Sequence, residues 1–267
     1  MEPQTNRRWK WSYLVPLACA AVLVIWLVET PDGLLGKADA IGYAVCHRIA
    51  LRSYFLADRQ FPLCVRCSGM YVGVVVGILF QLIRYPRRGG MLSWKSGIPF
   101  ILFFLAWAFD GSNSYLHLFP NLPGLYEPTN SLRLLTGMGM GLTMAAILVP
   151  AFQQSVWKQY DPRPVFTSIR PYVEMIVLGF GVGILLLTKN TLILYPLALI
   201  SALGVMIVLS TVYTLLWLMV VKKENFADTW RDLFIPFCAG LLTTLIQIGA
   251  VDALRYWLTG TWGGFHL

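Results

Sequence analysis

The chain has 267 residues, 57% of them hydrophobic and 13% charged, and its formal net charge is +8. A soluble domain carries about 25% charged residues, so the composition excludes an ordinary soluble enzyme. The basic excess lacks the interleaved basic and aromatic residues of a nucleic-acid module, which argues against nucleic-acid binding and for loops that meet anionic membrane lipid.

A run of about 20 apolar residues crosses the bilayer core as a helix. Several such runs in a chain this short predict one all-α domain over 1–267, a polytopic transmembrane helix bundle. The first span is expected at 11–28, after the basic stretch "NRRWK". The small residues "ADA" at 38–40 raise the alternative of a cleaved signal peptide. The apolar region is too long for one, and the small residues lie about ten positions past it. A retained anchor is therefore expected, with Cys19 as a small buried apolar residue.

The second span is expected from Ser68 to Tyr85, the third over 97–109 ending at Asp110, and the fourth over 131–151. The fifth covers 172–188, the sixth is a long span over 191–221, and the seventh covers 233–254. About seven spans result. Gly69, Gly73 and Gly77 recur every four residues, as do Gly137 with Gly141 and Gly179 with Gly183, a spacing that lets membrane helices pack closely. With the N-terminus cytoplasmic, thirteen Lys and Arg residues fall on the cytoplasmic side and eight on the other. Basic residues favour the cytoplasmic side, so residues 41–67 are expected to be extracytoplasmic.

That stretch, "CHRIALRSYFLADRQFPLCVRC", concentrates Cys46, His47, Cys64 and Cys67 with Arg48, Arg52, Arg59 and Arg66. Pro62 is expected to open the second helix, which puts Cys64 and Cys67 on its first two turns. The helix dipole there favours thiolates. Thiolates at this spacing support three readings. Cys64 and Cys67 with Cys46 and His47 form a tetrahedral zinc site, which keeps a position open for water if three of the four bind. Against that reading, neighbours such as Cys46 and His47 point apart in an extended strand. Alternatively, Cys64 and Cys67 cycle as a redox dithiol. A Cys-x-x-Cys at the end of a membrane helix resembles in plan the membrane thiol oxidases that pass electrons to quinone, although Cys46 has no partner in the loop. In the third reading, a disulfide or metal merely staples loop to helix.

A second group of polar residues lies over 109–141. An ionisable side chain at membrane depth is costly and calls for a partner or a function. Asp110 and Arg133 are expected either to pair across helices or to act at the site, Asp110 as a general base or a carboxylate behind the metal ligands and Arg133 as an anion clamp. Thr129 or Asn130 caps the fourth helix. His117 reads as an interfacial anchor among aromatic residues, and Glu127 as solvent-facing. Asp252 and Arg255, three apart, are expected to pair with each other. His266 is assigned no role.

The residues Cys46-His47, Arg52-Ser53-Tyr54-Phe55, Gln60, Pro62, Cys64, Arg66-Cys67, Gly69, Tyr71 and Gly73 resemble the signature of a family of prokaryotic membrane proteins of unknown function. Asp110-Gly111 and Asn130-x-x-Arg133-x-x-Thr136-Gly137 resemble further positions of it. The resemblance covers 41–150 as a family-like core, with 151–267 as additional helices, and it brings no activity. The residues themselves support a zinc or similar metal site at Cys46, His47, Cys64 and Cys67. Its expected chemistry is hydrolysis or transfer on a lipid-linked or anionic substrate, held by Arg52 and Arg66 with Arg133. A quinone-linked thiol oxidoreductase, and a transporter or assembly subunit with a structural staple, are the alternatives.

Overall fold

The computed structural model describes residues 13–119 and 124–264. Arg7, Arg8 and Lys10 of the orientation argument, the start of the first expected span, and His266 lie outside them. The described residues form helices α1 (Leu14–Glu29), α2 (Gly33–Val45), α3 (Val65–Arg84), α4 (Trp94–Leu116), α5 (Asn130–Val156), α6 (Ile169–Leu187), α7 (Thr191–Val220) and α8 (Phe234–Thr259). Two short two-stranded sheets pair β1 (Ser53–Leu56) with β2 (Arg59–Cys64), and β3 (Arg88–Gly90) with β4 (Asp161–Pro164).

Four of these helices, α3, α5, α6 and α7, are long and apolar enough to cross a membrane, as is the stretch Trp230–Thr259 that contains α8. Residues such as Val177, Leu178 and Ile184 on α6 and Leu254 and Leu258 on α8 point outward, where lipid is the solvent that suits them. The described part of the expected first span forms α1, which at 16 residues is short for a crossing on its own. Thr30 precedes Pro31 and is forced into extended backbone (φ −92°, ψ 157°). The chain bends by 105° there into α2, so α1 and α2 together make at most one broken crossing. The third expected span is longer than predicted, at 23 residues, but its last turns carry Asp110, Ser112, Asn113 and Ser114. It falls outside the set that qualifies by length and composition, so five described stretches qualify, or six with the bent pair, against about seven expected, although α4 still has to carry the chain back between α3 and α5.

The central contact is α3 against α5. The contacts advance in step, from Gly137 beside Arg66 to Gly141 beside Met70 and Gly77 beside Ala145, so the two helices run parallel and start at the same end of the bundle. A Cβ on Gly137 would stand 2.2 Å from the Arg66 carbonyl oxygen, and one on Gly141 would stand 2.1 Å from that of Met70. The regular glycine spacing thus marks a seam where backbone meets backbone. Gly179 and Gly183 of α6 close on Leu142 and Met138 of α5 in turn. Within the remaining bundle α7 packs on α8, α3 and α2, and α1 lies along α8, where the Cys19 and Cys238 thiols meet.

Between α2 and α3 the chain forms an antiparallel hairpin that the sequence reading did not anticipate. Ser53 pairs with Cys64 and Phe55 with Gln60, and the register shifts between them. Pro62 therefore lies in a strand and does not open the helix. On a two-stranded sheet with an irregular register, its missing N–H removes little. The turn rests on Ala57 at φ +51°. At the far end of α3 and α5, β3 and β4 pair in parallel and tie the two connecting segments together.

Replacing Gly137 by Ala is expected to destabilise the protein by about 1–3 kcal/mol, because the new methyl group meets a backbone carbonyl that cannot swing aside. Gly181→Ala on α6, where nothing lies within 4 Å, is expected to be neutral or slightly stabilising. Thermal unfolding of the two variants in detergent, side by side, measures the difference.

Candidate metal centre

Three elements bring the cysteines together. Cys46 follows the last turn of α2, Cys64 ends β2 and immediately precedes α3, and Cys67 is on the first turn of α3. Cys46 and Cys64 are buried, and the three thiols lie within hydrogen-bond reach of one another. Cys46 is also the target of backbone donors. The Cys64 N–H donates to its sulfur at 3.3 Å, and the nearby Arg48 amide also favours its charged form. Hydrogen bonds from Cys64 and Cys67, and then these backbone donors, hold the Cys46 thiol well below its ordinary pKa despite burial. Cys64 is pushed up to about 12, first by the bond it shares with Cys46. The three thiols are therefore coupled, and the surroundings favour the charged form of Cys46 over that of Cys64.

His47 joins this group. Ligand atoms of Cys46, His47 and Cys64 all lie within 4.8 Å of one another. Adjacent residues of a strand would point apart, but Cys46 ends a helix and Arg48 adopts a left-handed φ of +49°, so the chain turns within three residues. Burial first, and then the charges of Arg52, Arg66 and Arg133, lower the His47 pKa and keep the imidazole neutral, with a lone pair to offer. Its Nδ1 accepts from the Ile49 N–H at 3.0 Å. Either ring nitrogen binds an ion only by giving up that bond: Nδ1 because its lone pair is engaged, Nε2 because its proton has to move to Nδ1. Around a tetrahedral zinc ion, ligand atoms stand roughly 3.3–3.8 Å apart. The group therefore needs to contract by at most about 1–1.5 Å to grip such an ion.

The buried Asp110 carboxylate faces α3, not Arg133. Arg66 Nη2 forms an ion pair with Oδ2 and also donates to the Asp110 carbonyl at 3.1 Å and to Ser114 Oγ at 2.9 Å. Tyr126 donates to Asp110 Oδ1 at 2.8 Å and Thr136 to Oδ2 at 3.3 Å. Burial and the bond to Asp110 raise the Tyr126 pKa to about 12, so Tyr126 stays a donor. The expected pairing of Asp110 with Arg133 fails because Arg66 and Thr136 occupy Oδ2 and Tyr126 occupies Oδ1, while Arg133 bonds elsewhere. Arg133 instead donates to Asn130 Oδ1 at 2.8 Å, and Arg52 to the Ser114 carbonyl at 2.8 Å. Arg52, Arg66 and Arg133 are electrostatic neighbours of one another and of His47.

Other expectations resolve locally. Thr129 caps α5, accepting from Leu132 N at 3.2 Å. His117 lies apart from the thiols and bonds the Tyr126 carbonyl, and Glu127 is exposed. Asp252 and Arg255 form no ion pair. Arg255 turns to α2, lies 4.0 Å over the Tyr43 ring and donates to the Cys46 carbonyl at 2.7 Å, while the buried Asp252 carboxylate has no hydrogen-bond partner among the described residues. Sequence reasoning missed Arg255 as a support for Cys46, and Ser114, Tyr126 and Thr136 as supports for Arg66 and Asp110. Ser114 and Tyr126 carry no signal beyond their nearness in sequence to Asp110.

Apolar helices packed around a buried Cys-His-Cys group define a polytopic helical membrane protein with side chains able to hold a metal ion. The chain belongs to the family described as Predicted membrane protein (DUF2085), which matches residues 46–147 and so contains every residue of the cluster. An uncharacterised protein of Methanocaldococcus jannaschii is 30% identical over 125 residues, covering 45% of this chain and 72% of that protein. An uncharacterised protein of Methanothermobacter thermautotrophicus is 28% identical over 106 residues, covering 39% of this chain and 83% of the relative. No solved structure matches the chain.

Breaking one side of a buried ion pair strands the other charge. Asp110→Asn is expected to cost about 3–5 kcal/mol of stability, and Tyr126→Phe about 1 kcal/mol. Adding Arg66→Met to Asp110→Asn is expected to recover most of the loss. Denaturation of the single and double variants in detergent checks the coupling.

Proposed function

We propose that the protein is a membrane enzyme with a zinc centre, acting by hydrolysis or transfer on an anionic or lipid-linked substrate. The observation that supports this is the gathering of Cys46, His47 and Cys64 within 4.8 Å, with the Cys64 N–H donating to the Cys46 sulfur. Thiolate and neutral imidazole are the donors that zinc selects over magnesium or calcium. Cys67 is the fourth donor, or stands aside and leaves a position open. A zinc ion held there supplies Lewis acidity toward an oxygen of the substrate. Arg66 and Asp110 brace each other behind the thiols, and nearby arginines orient the substrate's negative charge. The excess of basic residues in the alternate loops supports an extracytoplasmic position for this centre.

One observation favours a second reading, a thiol-disulfide oxidoreductase that hands electrons to quinone. Cys46 reaches both Cys64 and Cys67, so the loop cysteine has the partners that a relay of disulfides requires.

Metal analysis of purified protein separates the two. Cys46→Ser, Cys64→Ser and His47→Ala are each expected to lose most of the bound zinc, and Arg66→Ala to retain it because guanidinium is no ligand. Metal-free wild-type protein with a quantitative Cys64–Cys67 disulfide defeats the zinc reading, and quinone-dependent reoxidation of the reduced protein then establishes the second.

A further inference from the structure

The arginines next to the thiols are placed where cations are least at home. Arg66 is the second residue of α3 and Arg133 the fourth of α5. Both therefore stand in the first turn of a helix, the end whose dipole attracts anions. Asp110 answers Arg66. Nothing comparable answers the other two, since no carboxylate lies within ion-pair distance of Arg52 or Arg133 among the described residues. Arg133 is 8% exposed, bonds a neutral amide, and has a buried Nε with no partner.

Their guanidinium groups are nevertheless held in place. Ser114 receives Arg52 on its carbonyl and Arg66 on its hydroxyl. Asn130 receives Arg133 and donates to the Leu51 carbonyl at 3.3 Å, tying the start of α5 to the loop that carries Arg52. Neutral groups thus fix the positions of two cations and leave both positive charges uncompensated. Three guanidinium groups face one carboxylate, an excess of two. A divalent ion on the Cys46 and Cys64 thiolates adds no net charge to that sum.

We infer that Arg52 and Arg133 form a binding site for a phosphoryl dianion, the phosphate end of a monoester or free phosphate, beside the Cys46-His47-Cys64 group. The inference rests on the zinc-enzyme reading for the use made of the phosphate, while the anion site consists of the arginines alone. A tetrahedral dianion has the charge and the oxygens to meet both guanidinium forks at once. A carboxylate or a phosphodiester brings a single charge and leaves one arginine unanswered. This assignment moves Arg66 from the substrate to the scaffold and keeps Arg52 and Arg133 for the anion.

The test is a titration of full-length protein in detergent with inorganic phosphate, against chloride at matched ionic strength, on zinc-loaded and chelator-treated samples. Phosphate is expected to bind in preference to chloride, and Arg52→Ala to weaken it at least tenfold. Arg133→Lys keeps the charge but loses the fork, and is expected to weaken it too. Lys95→Ala, at the start of α4, is expected to have no effect. Arg52 lies in the loop, so its variant is informative even where an Arg133 variant fails to fold. A parallel arm uses vesicles of phosphatidic acid in phosphatidylcholine against phosphatidylcholine alone. Binding of these vesicles without binding of free phosphate, lost in Arg52→Ala, assigns the dianion to a lipid headgroup. Phosphate retained by chelator-treated protein upholds the anion site even where zinc proves absent. Zinc bound with no preference for either phosphate probe, or a preference unchanged in Arg52→Ala, overturns the inference and leaves the metal reading standing.

Discussion

The backbone contact between α3 and α5 is the constraint from which the site follows. Glycine at the contact positions lets the two helices approach until the carbonyls of one touch the α carbons of the other. Because they run parallel, their N-terminal ends coincide. The first turn of α3, with Arg66 and Cys67, then stands beside the first turn of α5, with Arg133 and Thr136. A larger residue in the seam would part these ends and separate the thiols from the arginines. The same contact explains why Asp110 of α4 reaches Arg66. With the α3–α5 seam closed, α4 packs along α5, and Thr136 and Arg66 both turn toward the one carboxylate.

Charge sets the character of this end of the bundle. Burying an ion is costly unless partners are supplied, and the structure supplies them selectively. The Asp110 carboxylate has three: Arg66 of α3, Thr136 of α5 and Tyr126 of the connection between α4 and α5. Cys46 accepts from the Cys64 amide, which favours its charged form. Arg52 and Arg133 receive positioning but no counter-charge. A chain under stability selection alone would be expected to replace such residues, because two positive charges in a half-dry setting repel each other and the helix dipoles.

Much of this was legible in the sequence, and what was not has physical reasons. Long apolar runs defined α3, α5, α6, α7 and α8 to within a few residues, since twenty apolar residues in a row have few other homes. The four-residue glycine period marked the seam correctly. The bend after α1 was missed even though Thr30-Pro31 is a stop signal, because the apolar count over 11–28 suited a straight span. The hairpin was missed because its turn uses Ala57 in a left-handed conformation that glycine or asparagine normally marks. The grouping of Cys46, His47, Cys64, Arg66, Asp110 and Arg133 at one end followed from membrane depth. The choice of Arg66 over Arg133 as the partner of Asp110 is a matter of packing, and spacing along the chain carries no trace of it. The same holds for Arg255, which left Asp252 to cap the Cys46 carbonyl.

The hairpin also bears on the order in which the site is built. Cys46 and Cys64 are 18 positions apart, and the chain between them closes on itself as local structure. Contacts of short separation form early, because little loop entropy opposes them. The thiols and the imidazole are therefore assembled once α3 exists, whereas Arg66 waits for α4 and the loop carrying Arg52 waits for α5. A chain made from its N-terminus thus passes through a stage in which the sulfur cluster is complete and open. α4 and α5 then bring Asp110 and Arg133 to a cluster that already exists, so these helices add charge to the centre and do not build it.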